Sequence, residues 1–122
     1  MEYPASLRYS ESHVWAKKEG DTVKLGVTDY AQDQLGDVLF VDLPEVGAEF
    51  SVGDAFTEIE SSKTATEVEI PVSGEVVAVN NDLDDSPELI NESPYDAWII
   101  EINTDDDVDA LMTAAEYKDH LD

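Results

Sequence analysis

The chain has 122 residues, enough for one domain with a buried core, and its 42% hydrophobic content is too high for a disordered acidic tract. Its 30 Asp plus Glu against six Lys plus Arg give a net charge of −24, which repels phosphate backbones and anionic membranes and so excludes nucleic acid and lipid surfaces as partners. Cys is absent, which removes disulfides, thiolate metal sites and Cys nucleophiles.

Met1 to Leu7 lacks the basic patch and apolar run of a signal peptide, and no window approaches a membrane span of about 20 apolar residues. A cytoplasmic protein is expected. Along the chain, 13–18 and 22–27 read as strands about a turn at Glu19-Gly20-Asp21. Thr28 is a plausible N-cap for a short helix over 29–35, with Gly36 at its end. A strand over 37–43 is closed by Pro44 and Gly47. Strands over 55–60 and 65–70 follow the turn at Val52-Gly53-Asp54, with Val68, Ile70 and Val72 alternating against Glu67, Glu69 and Pro71. Pro71 to Gly74 is a turn, 75–80 a strand, 81–94 a loop with a helical turn, and 98–102 the last strand. Thr113-x-x-Glu116 is a capping box for a terminal helix, with another turn expected over 107–112. Many short strands with Gly and Pro turns predict a mainly β sandwich or barrel with short helices added.

The acids run through the whole chain. Such self-repulsion is costly in dilute salt and is screened at molar salt, so the composition reads as adaptation to a high-salt cytoplasm. Against that background Lys63 stands out: between Leu25 and Tyr117 there are 24 acids and this one base. It lies in Glu60-Ser61-Ser62-Lys63-Thr64-Ala65, between two predicted strands, as at an exposed hairpin tip. A tip lysine is ordinarily a solvated turn residue. An amine on a rigid turn is also reachable by an acylating enzyme.

Five ordered segments carry a resemblance. They are Leu25-Gly26-Val27-Thr28-Asp29-Tyr30-Ala31-Gln32, the run from Gly36 to Gly47, Glu60 to Ala65, Ile70-Pro71-Val72-Ser73-Gly74-Glu75-Val76, and Leu89-Ile90-Asn91-Glu92-Ser93-Pro94-Tyr95. Together, over about Tyr9 to Leu121, they resemble the H-protein family of the glycine cleavage system. The resemblance implies a lipoyl-domain-like barrel-sandwich of two antiparallel sheets with short helices and a C-terminal helix. It implies one carrier domain over 1–122, with a β core over about 9–103 and a helical segment over 107–121. Lipoic acid is then expected in amide linkage on Lys63. Glu60, Gly47 and Gly74 match positions associated with recognition by the modifying enzyme, a lipoate ligase or lipoyl synthase. Ser12, His13 and Glu67 match the region where a loaded arm folds back. The chain departs from the family at Val14, where Glu is common, and at Glu67, where Asp is frequent.

The resemblance further implies a carrier without turnover of its own. Lipoyl-Lys63 takes an aminomethyl group from glycine decarboxylase (P protein) to aminomethyltransferase (T protein). It then delivers reducing equivalents to dihydrolipoyl dehydrogenase (L protein). The alternatives are a lipoate relay to other lipoyl enzymes and a non-carrier acidic β-sandwich binding module with Lys63 unmodified. A biotinyl domain would place Met on both sides of the lysine, where this chain has Ser62 and Thr64. No metal site is expected. Asp105, Asp107, Asp109 and Glu116 have EF-hand spacing, but Ala110 stands where that loop needs Gly, and a strand precedes it, so these acids read as helix N-terminal residues. His13 and His120 have no partner at metal spacing.

Overall fold

A computed structural model describes residues 3–121. Among the described residues nine strands form two antiparallel sheets. The larger contains β1 (Arg8–Tyr9), β2 (Val14–Glu19), β3 (Thr22–Val27), β5 (Glu49–Phe50), β8 (Gly74–Val79) and β9 (Ile100–Asn103), in the order β1-β2-β3-β9-β8-β5. The smaller is β4 (Val38–Asp42), β6 (Ala55–Ser61) and β7 (Ala65–Glu69), in the order β4-β6-β7. Helices α1 (Asp29–Leu35), α2 (Asp82–Asp85), α3 (Leu89–Glu92) and α4 (Ala114–Leu121) are short. This is the mainly β, two-sheet architecture with a C-terminal helix that the sequence predicts.

Alternation explains the layers. Val23 and Leu25 of β3, Ile59 of β6, Val68 of β7 and Ile100 and Ile102 of β9 are buried between the sheets, joined by Leu83 and Ile90 of α2 and α3. A second cluster of Leu7, Tyr9, Trp15, Ala114 and Tyr117 fixes α4 against β1 and β2. Thr28 caps α1, its hydroxyl accepting from the Ala31 N–H at 3.3 Å. The Thr113–Glu116 box caps α4 in both directions: Thr113 Oγ1 accepts from the Glu116 N–H at 3.2 Å, and Glu116 Oε1 from the Thr113 N–H at 2.9 Å.

Some boundaries differ from expectation. The short strands β1 and β5 have no periodicity to reveal them, because their ladders are set by distant partners, Arg8↔Ala16 and Glu49↔Glu75. The stretch expected over 81–94 as a loop with a helical turn holds two short helices, anchored by buried Leu83 and Ile90. The last strand begins at Ile100 because Trp98 is held outside the ladder, its carbonyl accepting from Asn80 Nδ2 at 2.9 Å and its ring lying 5.1 Å from Lys24 Nζ. Val108–Ala110 forms a 3-10 turn within the expected 107–112 segment.

Candidate functional site

Strands β6 and β7 pair from Ala55↔Glu69 to Glu60↔Ala65, and Lys63 stands exposed in the connection beyond their last pair. One hydroxyl shapes this tip. Ser61 Oγ accepts from the Lys63 N–H at 3.3 Å and the Thr64 N–H at 3.2 Å, and donates to the Thr64 carbonyl at 3.0 Å. That is the full capacity of a serine hydroxyl, one proton and two lone pairs. The Ser61 N–H closes the turn onto the Thr64 carbonyl at 2.8 Å. The Ser62 N–H ties the tip to the Asp37 carbonyl at 2.9 Å, between α1 and β4.

The support beneath Lys63 is Gly36. Its φ of +76° is a conformation that side chains disfavour, and a Cβ there would sit 3.2 Å from Lys63 Cε and from Ser62 Oγ. The aliphatic stem of Lys63 therefore lies on the bare backbone of Gly36. Asn91 of α3 clamps both sides of this glycine. Its Oδ1 accepts from the Val38 N–H at 2.8 Å, and its Nδ2 donates to the Gly36 carbonyl at 2.8 Å and to Gln32 Oε1 at 3.1 Å. Neither Gly36 nor Asn91 stands among the residues expected at the site. The available signal was an Asn beside an apolar pair in a motif of otherwise unassigned purpose.

Beside the tip lies a cleft of about 380 Å3, lined by Ser12, His13, Tyr30, Leu35, Thr64 and Glu67 among others. The adjacent pair Ser12-His13 and the sequence-distant Glu67 are thus brought to one cavity next to Lys63. Ser12 Oγ donates to the Glu69 carbonyl at 3.1 Å and fastens the 10–13 loop to β7. His13 adopts φ +66°, its ring centroid 4.8 Å from that of Tyr30 and its Nδ1 2.7 Å from the Tyr117 hydroxyl. Burial, and then nearby His120, hold its pKa below the usual imidazole value. Burial raises the Tyr117 phenol to about 12. Val14, at the position of the family's common Glu, is wholly buried in the core.

The three residues matched to enzyme recognition are dispersed. Glu60 is exposed on the outer face of β6, between Phe40 and Ala65. Gly47 and Gly74 instead belong to the β5–β8 side of the larger sheet. The Gly47 N–H donates to the Val76 carbonyl at 2.8 Å, and a Cβ on Gly74 would lie 2.1 Å from the Asn103 carbonyl oxygen.

Charge is unevenly placed. Asp42, Glu58 and Glu67 are cross-strand neighbours on the outer face of the three-stranded sheet, and exposed Leu39 and Phe40 flank them on β4. The cations other than Lys63 lie on β1, β2, β3 and α4. Two of the acids with EF-hand spacing serve the backbone, Asp107 Oδ1 accepting from the Asp109 N–H at 3.0 Å and Glu116 capping α4, and Asp109 lies 3.8 Å from Arg8 Nη2. Among the described residues no group of His, Asp or Glu is arranged to hold a metal ion. What the site offers is an exposed primary amine on a fixed turn, beside an apolar-walled cleft.

The Glycine cleavage H-protein family model matches residues 7–122. The glycine cleavage system H protein of Bacillus licheniformis is 52% identical, over 99% of this chain and 98% of that protein. That of Halalkalibacterium halodurans is 53% identical, over 97% and 94%. The crystal structure of a glycine cleavage system H protein from Mycobacterium marinum superposes with a TM-score of 0.89 at 35% identity, covering 98% of each chain. The chain accordingly belongs to the glycine cleavage H-protein family, the carriers of lipoate on a lysine.

Proposed function

We propose that Lys63 is the lysine that carries lipoate, so that this chain serves as the mobile carrier of glycine cleavage. The observation that supports it is the placement of the Lys63 amine, on a hairpin tip closed by Ser61, rested on Gly36 and adjoining an apolar-walled cleft. As the lipoyl carrier of the system, the chain works with the P, T and L proteins and has no turnover of its own. When bound, lipoate supplies the disulfide and dithiol that a chain without Cys lacks.

The residues suit the group. A lysine plus lipoyl arm reaches on the order of 14 Å at about 1.5 Å per bond. That is long enough to enter a partner's active site at high effective concentration, or to fold back into the cleft. Ser12, His13 and Glu67 form the polar edge of that cleft, while Tyr30 and Leu35 give it apolar walls that exclude water from the carried group. A lipoate ligase or lipoyl synthase modifies the tip by its shape. Glu60 contributes charge, and Gly47 and Gly74 contribute the backbone conformations that they permit. The β core of about 9–103 and the helical segment of 107–121 act as one carrier domain.

We place the protein in the cytoplasm. Among the described residues no helix is long and apolar enough to cross a membrane. A net charge of −24 suits a salt-rich interior, where screening relieves acid pairs such as Glu58 and Glu67.

Intact mass with peptide mapping tests the central assignment. One lipoyl amide on Lys63 is expected in protein from its native host, and none in Lys63→Arg, whose stability should stay within about 0.5 kcal/mol of the parent. Glycine–bicarbonate exchange that persists in Lys63→Arg would overturn the carrier assignment and favour a binding module.

A further inference from the structure

The cleft beside Lys63 is held by an element that does not line it. His13 forms one edge of the cleft and has φ +66°, an uncommon conformation for a residue with a side chain. Local backbone bonds account for part of this: the His13 N–H donates to the Ser10 carbonyl at 3.1 Å, and the His13 carbonyl accepts from the Thr28 N–H at 3.1 Å. The ring is fixed from a distance of 104 residues, by the Tyr117 hydroxyl at 2.7 Å from Nδ1. That same hydroxyl lies 2.8 Å from Thr28 Oγ1, and Thr28 caps the helix that brings Tyr30 and Leu35 to the cleft, Tyr30 in ring contact with His13. One phenol oxygen is therefore shared between the His13 loop and the cap of α1, the two elements that bring His13, Tyr30 and Leu35 to the cleft.

The proton inventory gives this chain of bonds a direction. Thr28 Oγ1 accepts from the Ala31 N–H and has one further lone pair, so lone-pair capacity alone leaves the direction of its bond with Tyr117 open; the direction that gives every hydroxyl proton an acceptor has Thr28 donating to Tyr117. Tyr117 in turn donates to His13 Nδ1, which leaves His13 neutral with its proton on Nε2. In that arrangement each hydroxyl proton has an acceptor. A second proton on His13 would reverse the Tyr117 hydroxyl toward Thr28 and leave the Thr28 proton unmatched. The groups that face His13 are Tyr30 from α1, Glu67 from β7, and Tyr117 and His120 from α4.

We infer that Tyr117 is a positioning residue of the carrier, its hydroxyl bridging His13 and Thr28 to fix the His13 loop against α1 and so hold the shape of the cleft that encloses the loaded arm. This rests on the cleft's proposed role in sheltering that arm. It gives the C-terminal helix a task beyond packing, since the ring alone would satisfy its contacts with Tyr9, at a centroid distance of 5.0 Å, and with Tyr3, at 5.3 Å.

The test is Tyr117→Phe, which keeps the ring and removes the oxygen. In the unmodified protein, nitrogen-15 NMR of the His13 ring is expected to show one tautomer, protonated at Nε2. Tyr117→Phe is expected to give a mixture of tautomers and a displaced His13 titration. In the lipoylated and loaded protein, spontaneous release of the carried group should accelerate about three- to tenfold, the range set by one hydrogen bond, with a pH profile that follows the His13 titration. Thr28→Val removes the other partner of the hydroxyl and should accelerate release similarly, with Thr28→Ser restoring the parent rate. A parent-like tautomer and release rate in folded Tyr117→Phe would overturn the inference while leaving sheltering intact. Release from the parent as fast as from the excised Lys63 peptide would remove the sheltering role itself, before any variant is compared.

Discussion

Gly74→Ala separates what a glycine does for the fold from what a modifying enzyme reads. The added Cβ would lie 2.1 Å from the Asn103 carbonyl oxygen and 3.0 Å from both its carbonyl carbon and Ile102 Cγ1, where ordinary contact begins at 3.4 Å. Backbone must therefore move by more than an ångström. The obstructing strand, β9, is hydrogen-bonded on both sides, to β3 and to β8, so it cannot retreat without losing ladder bonds. Overpacking of this kind costs about 1–3 kcal/mol, and each broken ladder bond about 1 kcal/mol more. A loss of about 2–4 kcal/mol is expected, which for a chain of this length lowers Tm by roughly 10–15 °C. Thermal melting followed by circular dichroism measures that loss. Intact mass, taken well below the variant's Tm, then gives lipoylation per folded molecule, expected within about twofold of the parent. A variant with the parent's Tm would refute the packing argument. One that is fully folded yet unmodified would show that the ligase contacts Gly74 directly.

Asn91→Ala removes the clamp on Gly36 and leaves the Val38 N–H and the Gly36 carbonyl without their partner; a loss of about 2–4 kcal/mol in urea titration is expected, with slower modification of Lys63. His13 has its folded pKa below its unfolded value, so the unfolded chain binds the proton more readily; its contribution to stability is fully present above pH about 6.5 and declines as pH falls below that value. Melting curves of the parent and His13→Gln across pH 5–8 should therefore converge toward the acid side. Raising KCl from about 0.1 M to about 3 M should raise Tm, and equal midpoints would contradict the salt-adaptation reading.

Much of the scaffold could be read from local patterns. The alternation of Val68 and Ile70 against Glu67 and Glu69 along and just past β7, the Thr28 cap and the Thr113–Glu116 box each need only a few neighbouring residues. They appear in the structure as expected. The exposed tip at Lys63 was legible for the same reason. What escaped depends on contacts across the chain. The meeting of Gly36 with the Lys63 stem, the Asn91 clamp 55 residues from Gly36, and the reach of Tyr117 across 104 residues to His13 exist only once the sheets and α4 have packed. Gly36 was visible as a helix terminator but not as a support, because one backbone conformation serves both ends. The dispersal of Gly47 and Gly74 onto the larger sheet was hidden likewise, since a turn's sequence distance from Lys63 carries no information about which sheet receives it.

The separation of cations described above has an electrical consequence. Amide formation on Lys63 consumes the only basic group between Leu25 and Tyr117. Each such modification would make the molecule one unit more negative, at a hairpin that belongs to none of the elements carrying the other cations. On the proposed assignment, the enzyme that attaches the group would approach a tip carrying an ammonium ion, whereas the enzymes that later use it would meet the same tip without that charge. Modified and unmodified protein should differ in elution from an anion exchanger and in focusing position. A partner with a cationic entrance would then have a purely Coulombic basis for preferring the charged-up carrier over its precursor, in low salt more than in high.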